Sequence, residues 1–142
     1  MVFSLEYLET IGIPVVTIGQ DEFPSFYSSK SGYTSPLRLD TPDDIVALLR
    51  TKWDFGLKGS VLVANPVPVA HESGNEEIEV HIRQALSAAA VKNIKGKEVT
   101  PFLLKYIAAN TEGESLQTNI ALILNNTKIA AGIAVSFANS SV

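Results

Sequence analysis

The run SVLVANPVP, Ser60 to Pro68, limits the fold more than any other stretch. Its apolar core, Val61-Leu62-Val63-Ala64, is too short for a helix, and Asn65-Pro66 stops it, so the spacing predicts a short strand. A second β-branched run, IPVVTIG, lies upstream and ends at Gly19. Between the two, Thr41 is placed as an N-cap, with Pro42 at the first helical position and Asp44 three residues after the cap. Ile45, Leu48 and Leu49 follow at helical spacing, and the helix is expected to run to Phe55-Gly56. Strand, helix, strand is the α/β pattern.

The rest of the chain reads as helix and ordered loop. SLEYLETIG is the end of a helix stopped by Gly12. QDEFPSFYSSKSGYTSPLRLD carries turn residues throughout and is expected to be an ordered excursion, with LRLD a short extended piece after Pro36. Residues 75–91 form an amphipathic helix with Ile78, Ile82, Ala85 and Ala89 on one side. Pro101 opens another, whose inward face carries Leu103, Leu104 and Ile107. A last helix from Glu114 carries Leu116, Ile120, Ile123 and Leu124. Two strands make a poor sheet, and a sheet covered on both faces needs neighbours that these residues do not supply. The expected class is α/β with few strands and a helix-rich C-terminal half.

Composition narrows the function. At 142 residues, 46% hydrophobic and 18% charged, the chain suits one globular domain or a large part of one. A formal net charge of −4 gives no basic footprint for a nucleic acid polymer. Asn, Lys or Gly interrupts each apolar stretch, so no membrane association is expected, and MVFSLEYLET does not resemble a signal peptide. The absence of cysteine excludes disulfides, thiolate metal sites and cysteine catalysis. A cytoplasmic location is the expectation.

Five features have residue types that suit chemistry. Asn65-Pro66 ends a strand where open α/β sheets place ligands, although the same pair also starts ordinary turns. His71 stands in HESGNEE near three carboxylates, but metal-ligand spacing on one helix face is missing there and at His81. SSKSGY, Ser28 to Tyr33, offers backbone and hydroxyl donors for a phosphate, without a Walker pattern; it reads first as a surface loop and second as a ligand contact. Asn119 interrupts an apolar helix, where an unpaired amide costs about 1–3 kcal/mol if buried; it either bonds backbone or faces a ligand. Asn125-Asn126 raises the same alternative.

Taken in order, EYLETIGIPVVTIG, EFPSFYSSKSG, LRLDTPDDI, VANPVP, GKEVTPFLL and ESLQTNIALILNNTKIAAGIA resemble the pseudouridine-5′-phosphate glycosidase family, also called indigoidine synthase A-like. The resemblance implies a three-layer α/β/α domain of a homotrimeric enzyme. It implies reversible cleavage of the C–C glycosidic bond of pseudouridine 5′-phosphate to uracil and ribose 5-phosphate. It further implies a lysine that forms a Schiff base with the opened ribose, a proton-transferring glutamate, and an aspartate that helps hold Mn²⁺.

The pattern departs from the family in extent. Its members are about twice as long, so the chain is expected to be the C-terminal half over residues 1–142, with the N-terminal catalytic half absent. The catalytic lysine is expected just before the block that matches LEYLET. None of Lys30, Lys52, Lys58, Lys92, Lys95, Lys97, Lys105 or Lys128 occupies that place, and the glutamate and metal aspartate also fall outside, so no cofactor is expected for this chain alone. One position carries over: the substrate-contacting asparagine of the family falls on Asn119. Three functions remain open. The chain is a glycosidase fragment inactive alone, a non-catalytic interaction module or truncated-gene product that binds full-length relatives, or a small nucleotide-binding protein using a pocket near Asn119 and Asn65.

Overall fold

The computed structural model describes residues 2–72, 75–111 and 113–140. Helix α1 (Val2–Thr10) leads into strand β1 (Val15–Ile18), and a long excursion reaches strand β2 (Arg38–Leu39). Helix α2 (Pro42–Asp54) and strand β3 (Leu62–Ala64) follow, then helices α3 (Asn75–Val91), α4 (Val99–Asn110) and α5 (Glu114–Asn139). The sheet has the order β2-β1-β3, with both pairings parallel. The chain is thus α/β, as its strand–helix–strand order predicts. The extended piece after Pro36 proves to be a third strand: the Thr17 N–H donates to the Leu37 carbonyl at 2.8 Å and the Gly19 N–H to Leu39 at 2.9 Å.

Local chemistry sets the element ends. Gly12, at φ 72°, closes α1: its N–H donates to the Glu9 carbonyl and that of Ile13 to Leu8, the paired bonds of a Schellman cap. At the start of α2 the Thr41 hydroxyl accepts from the Asp44 N–H at 3.2 Å, while the Asp44 carboxylate accepts from the Thr41 N–H at 3.0 Å. This capping box satisfies two otherwise orphaned amides. The hydrogen bonds from Thr41, its side chain first, hold the Asp44 carboxyl below its usual pKa.

Central strand β1 is buried at all four positions, so both of its faces are covered as well as its two edges. The core is divided. Tyr27, Ile78, Ala85 and Ile107 join the excursion to α3 and α4, with Ile82, Leu103 and Leu104 packed against them. Helix α2 packs instead on the far end of α5, where Gly132 lets the backbone come close: a Cβ there would lie 3.3 Å from Pro42 Cγ. Arg50 stacks 4.6 Å from the centre of the Phe137 ring and donates to the Phe137 carbonyl and the Ser140 hydroxyl. Trp53 meets the same ring edge-on at 5.7 Å.

Candidate functional site

Strand β3 delivers Asn65 to the carboxyl end of the sheet, and Pro66 stops the strand there. Asn65 does more than begin a turn. Its Nδ2 donates to Asn126 Oδ1 at 3.0 Å, and Asn125 Nδ2 donates to both Asn65 Oδ1 and the Pro66 carbonyl at 3.2 Å. Three amides therefore lock the middle of α5 to the end of β3. Beside this lock lies an open groove of about 450 Å³, walled by Pro68 and His71 on one side and by Gln117, Leu124, Asn125 and Lys128 on the other. Gln117, Leu124 and Lys128 follow one another at helical spacing, so the wall is legible in the sequence once the strand end is known to face it.

The backbone amides of Ser29 to Gly32 in SSKSGY are not open to an external phosphate. They are already paired within the chain: Ser29 N–H donates to Glu72 Oε1 at 2.7 Å, and Lys30 N–H to the Ser28 hydroxyl at 3.1 Å. The Ser31 and Gly32 amides both donate to Glu22 Oε1, at 2.6 and 2.5 Å. These bonds, Gly32 first, keep the Glu22 carboxyl below its ordinary pKa. The backbone donors that suggest anion binding are real, but two carboxylates and a hydroxyl of the same chain fill them. A cavity of about 780 Å³ lies between this loop and α3, with Lys30, Glu79 and Arg83 among its walls.

Among the described residues neither histidine gathers metal ligands; Ser73, Gly74 and the side chains of Glu76 and Glu77 in HESGNEE lie outside the described residues. His71 faces the groove, and His81 sits half-buried on α3 with Nδ1 unpaired among the described residues. No three His, Asp or Glu side chains converge among the described residues, and Glu22 and Glu72 are spent on backbone amides. The described residues therefore do not fit Mn²⁺. Lysine chemistry is constrained as well. Buried Lys52 donates its ammonium to three carbonyls, of Leu57, Lys58 and Gly59, at 3.1, 2.7 and 2.9 Å, which ties down the turn after α2 and leaves no lone pair for attack.

Asn119 lies on α5, half-buried, with no side-chain hydrogen bond among the described residues. It shares a flank with Asn126, seven residues on, and does not line the groove beside Asn125. Asn65 is engaged with Asn125 and Asn126, and Asn119 makes no hydrogen bond to this lock among the described residues.

A short parallel sheet with a helix-linked crossover, a locked strand end and an open groove beside it define an α/β domain. Residues 2–136 match the family model described as indigoidine synthase A like protein, and the chain belongs to that family. It is 50% identical over 135 residues to a pseudouridine-5′-phosphate glycosidase of Deinococcus radiodurans, which covers 95% of this chain and 43% of that protein. It is 53% identical over 133 residues to the protein of that name in Methylobacterium nodulans, over 94% of this chain and 40% of the relative. The chain thus spans less than half the length of these relatives. An indigoidine synthase A-like protein from Thermotoga maritima superposes with a TM-score of 0.79 at 38% identity, covering 92% of this chain and 42% of the other. The prealnumycin C-glycosynthase AlnA, solved with ribulose 5-phosphate, shares the fold at a TM-score of 0.83 and 24% identity, over 96% of this chain and 45% of its own.

Proposed function

We propose that this chain is one portion of a glycosidase that reversibly cleaves the C–C bond of pseudouridine 5′-phosphate to uracil and ribose 5-phosphate, and that it is inactive until the rest of the domain completes it. The observation that carries this reading is 50% identity along 95% of the chain to a protein so named, of which the chain spans 43%. A C–C glycosidic bond has no heteroatom leaving group, so its cleavage calls for an electron sink such as a lysine iminium. Lys52 cannot supply one while three carbonyls hold its ammonium. The half-buried amide of Asn119 is uncommitted, which suits a group reserved for substrate in the completed site. Mn²⁺ would belong to the completed enzyme. A cytoplasmic homotrimer is part of the same proposal.

The test is direct. The purified chain is incubated with pseudouridine 5′-phosphate and, separately, with ribose 5-phosphate and borohydride. The expected results are no uracil release and an unchanged intact mass. A stoichiometric reduced adduct on any lysine of this chain overturns the reading.

A further inference from the structure

Helix α5 has its polarity reversed. The side chains it buries in its own domain are Ser115, Thr118 and Leu122, two of them hydroxylated. Its larger apolar residues lie away from that buried side: Leu116 is 49% exposed, Ile120 43%, Ile123 55% and Leu124 65%, with Ile120 and Leu124 on the wall of the open groove. At about 100° per residue these four gather on the flank opposite the buried three, and the stripe continues through Ala131, about 22 Å along the axis. A surface helix normally turns its apolar stripe to its own core, whereas a helix apolar on both sides belongs inside a larger body.

We infer that this outward face of α5 is the docking surface for the remainder of an indigoidine synthase A-like domain. Two observations name that occupant. The chain accounts for 43% and 40% of two relatives, so the larger part of each relative lies outside the match. Independently, β3 ends the sheet with Leu62 40% exposed, and parallel sheets are stable when neighbours cover them. A lipid bilayer is the competing occupant, since α5 is long and apolar enough to cross one and an 18-residue window of mean hydropathy 1.5 is only 6% buried. However, α5 is fastened to its domain by Asn126 to Asn65 and by Ser136 to Asp43. Asn119 and Lys128 on its flanks are also costly in hydrocarbon. The inference rests on the family membership and not on the reaction.

Because the chain has no cysteine, Leu124→Cys supplies a single reporter. The tagged variant is co-expressed with the part of the Deinococcus radiodurans relative that lies outside the match, and maleimide labelling is followed. Co-purification at 1:1 is expected, with labelling slowed about 100-fold or more in the complex. Val91→Cys, at an 85% exposed position on α3, should label equally in both states. In the same co-expression Ile123→Asp with Leu124→Asp should abolish the complex without moving the melting temperature of the chain alone. Absence of co-purification by a soluble chain, or equal labelling of Leu124→Cys in both states, overturns the inference. Protection that appears in the chain alone and grows with its concentration overturns it in favour of a second copy. Protection only on adding anionic phospholipid vesicles overturns it in favour of a bilayer. A complex that forms but does not cleave pseudouridine 5′-phosphate counts against the proposed reaction and leaves the docking surface standing.

Discussion

The side-chain amide of Asn125 donates to Asn65 Oδ1 at 3.2 Å, joining the middle of the last helix to the end of a strand 60 residues earlier. This bond, with its companion from Asn65 to Asn126, fixes where α5 stands relative to the carboxyl end of the sheet. It thereby sets the position of the groove wall and of Asn119 two turns before it.

Breaking that lock should loosen the whole C-terminal helix. Asn65→Ala removes the acceptor for Asn125 and the donor for Asn126 and is expected to cost about 1–3 kcal/mol, since each bond contributes about 0.5–1.5 kcal/mol. Asn125→Ala should cost a similar amount. The double variant should lose clearly less than the sum, because the two residues share a bond. Urea unfolding of the three variants measures this, and strict additivity would show that the amides act separately.

Glu22 should make the 20–34 excursion sensitive to acid. Its folded pKa is depressed by the Gly32 and Ser31 amides, so its contribution is present above the unfolded value of about 4.3 and is lost as pH falls through the lower folded value. Amide exchange at Ser31 and Gly32 should therefore lose protection in that acid window. In Glu22→Gln the protection is expected to be weaker at neutral pH and no longer tied to this titration. A wild-type loop whose protection stays constant through the same range contradicts the assignment.

Lys52 should be structural. Lys52→Met keeps much of the buried stem but leaves three carbonyls without their donor, and a loss of about 1–3 kcal/mol is expected. Lys52→Arg should not restore full stability, because a planar guanidinium cannot reproduce a compact three-way donor. Thermal melts of the two variants decide the point.

Asn119 should matter only in a completed site. In the co-expressed complex, Asn119→Ala is expected to lower kcat/KM about 10-fold or more, the scale of one or two lost hydrogen bonds. Its melting temperature should stay close to that of the parent. Asn119→Asp tests whether the donor of the amide is needed. Unchanged kinetics with a clear fall in melting temperature would return Asn119 to a structural role.

Much of the fold was determined by the sequence alone, because those features depend on neighbours in the chain. The Thr41 cap, Pro42 at the helix start, the Gly12 stop and the strand ended by Asn65-Pro66 are all local, and the structure has each of them. The apolar spacing on α3 and α4 likewise named Ile78, Ala85 and Ile107, which are buried. Periodicity could not say which face of α5 its own domain covers. Ser115 and Thr118 are buried while Leu116 and Ile120 are exposed, since burial depends on what lies opposite and not on hydrophobicity alone. Nor could residue type show that the amides of Ser29, Ser31 and Gly32 are already filled by Glu72 and Glu22, that Lys52 is consumed by three carbonyls, or that Asn65 meets Asn125 and Asn126. Those pairings join groups from different elements, and only the tertiary structure decides which donors and acceptors meet.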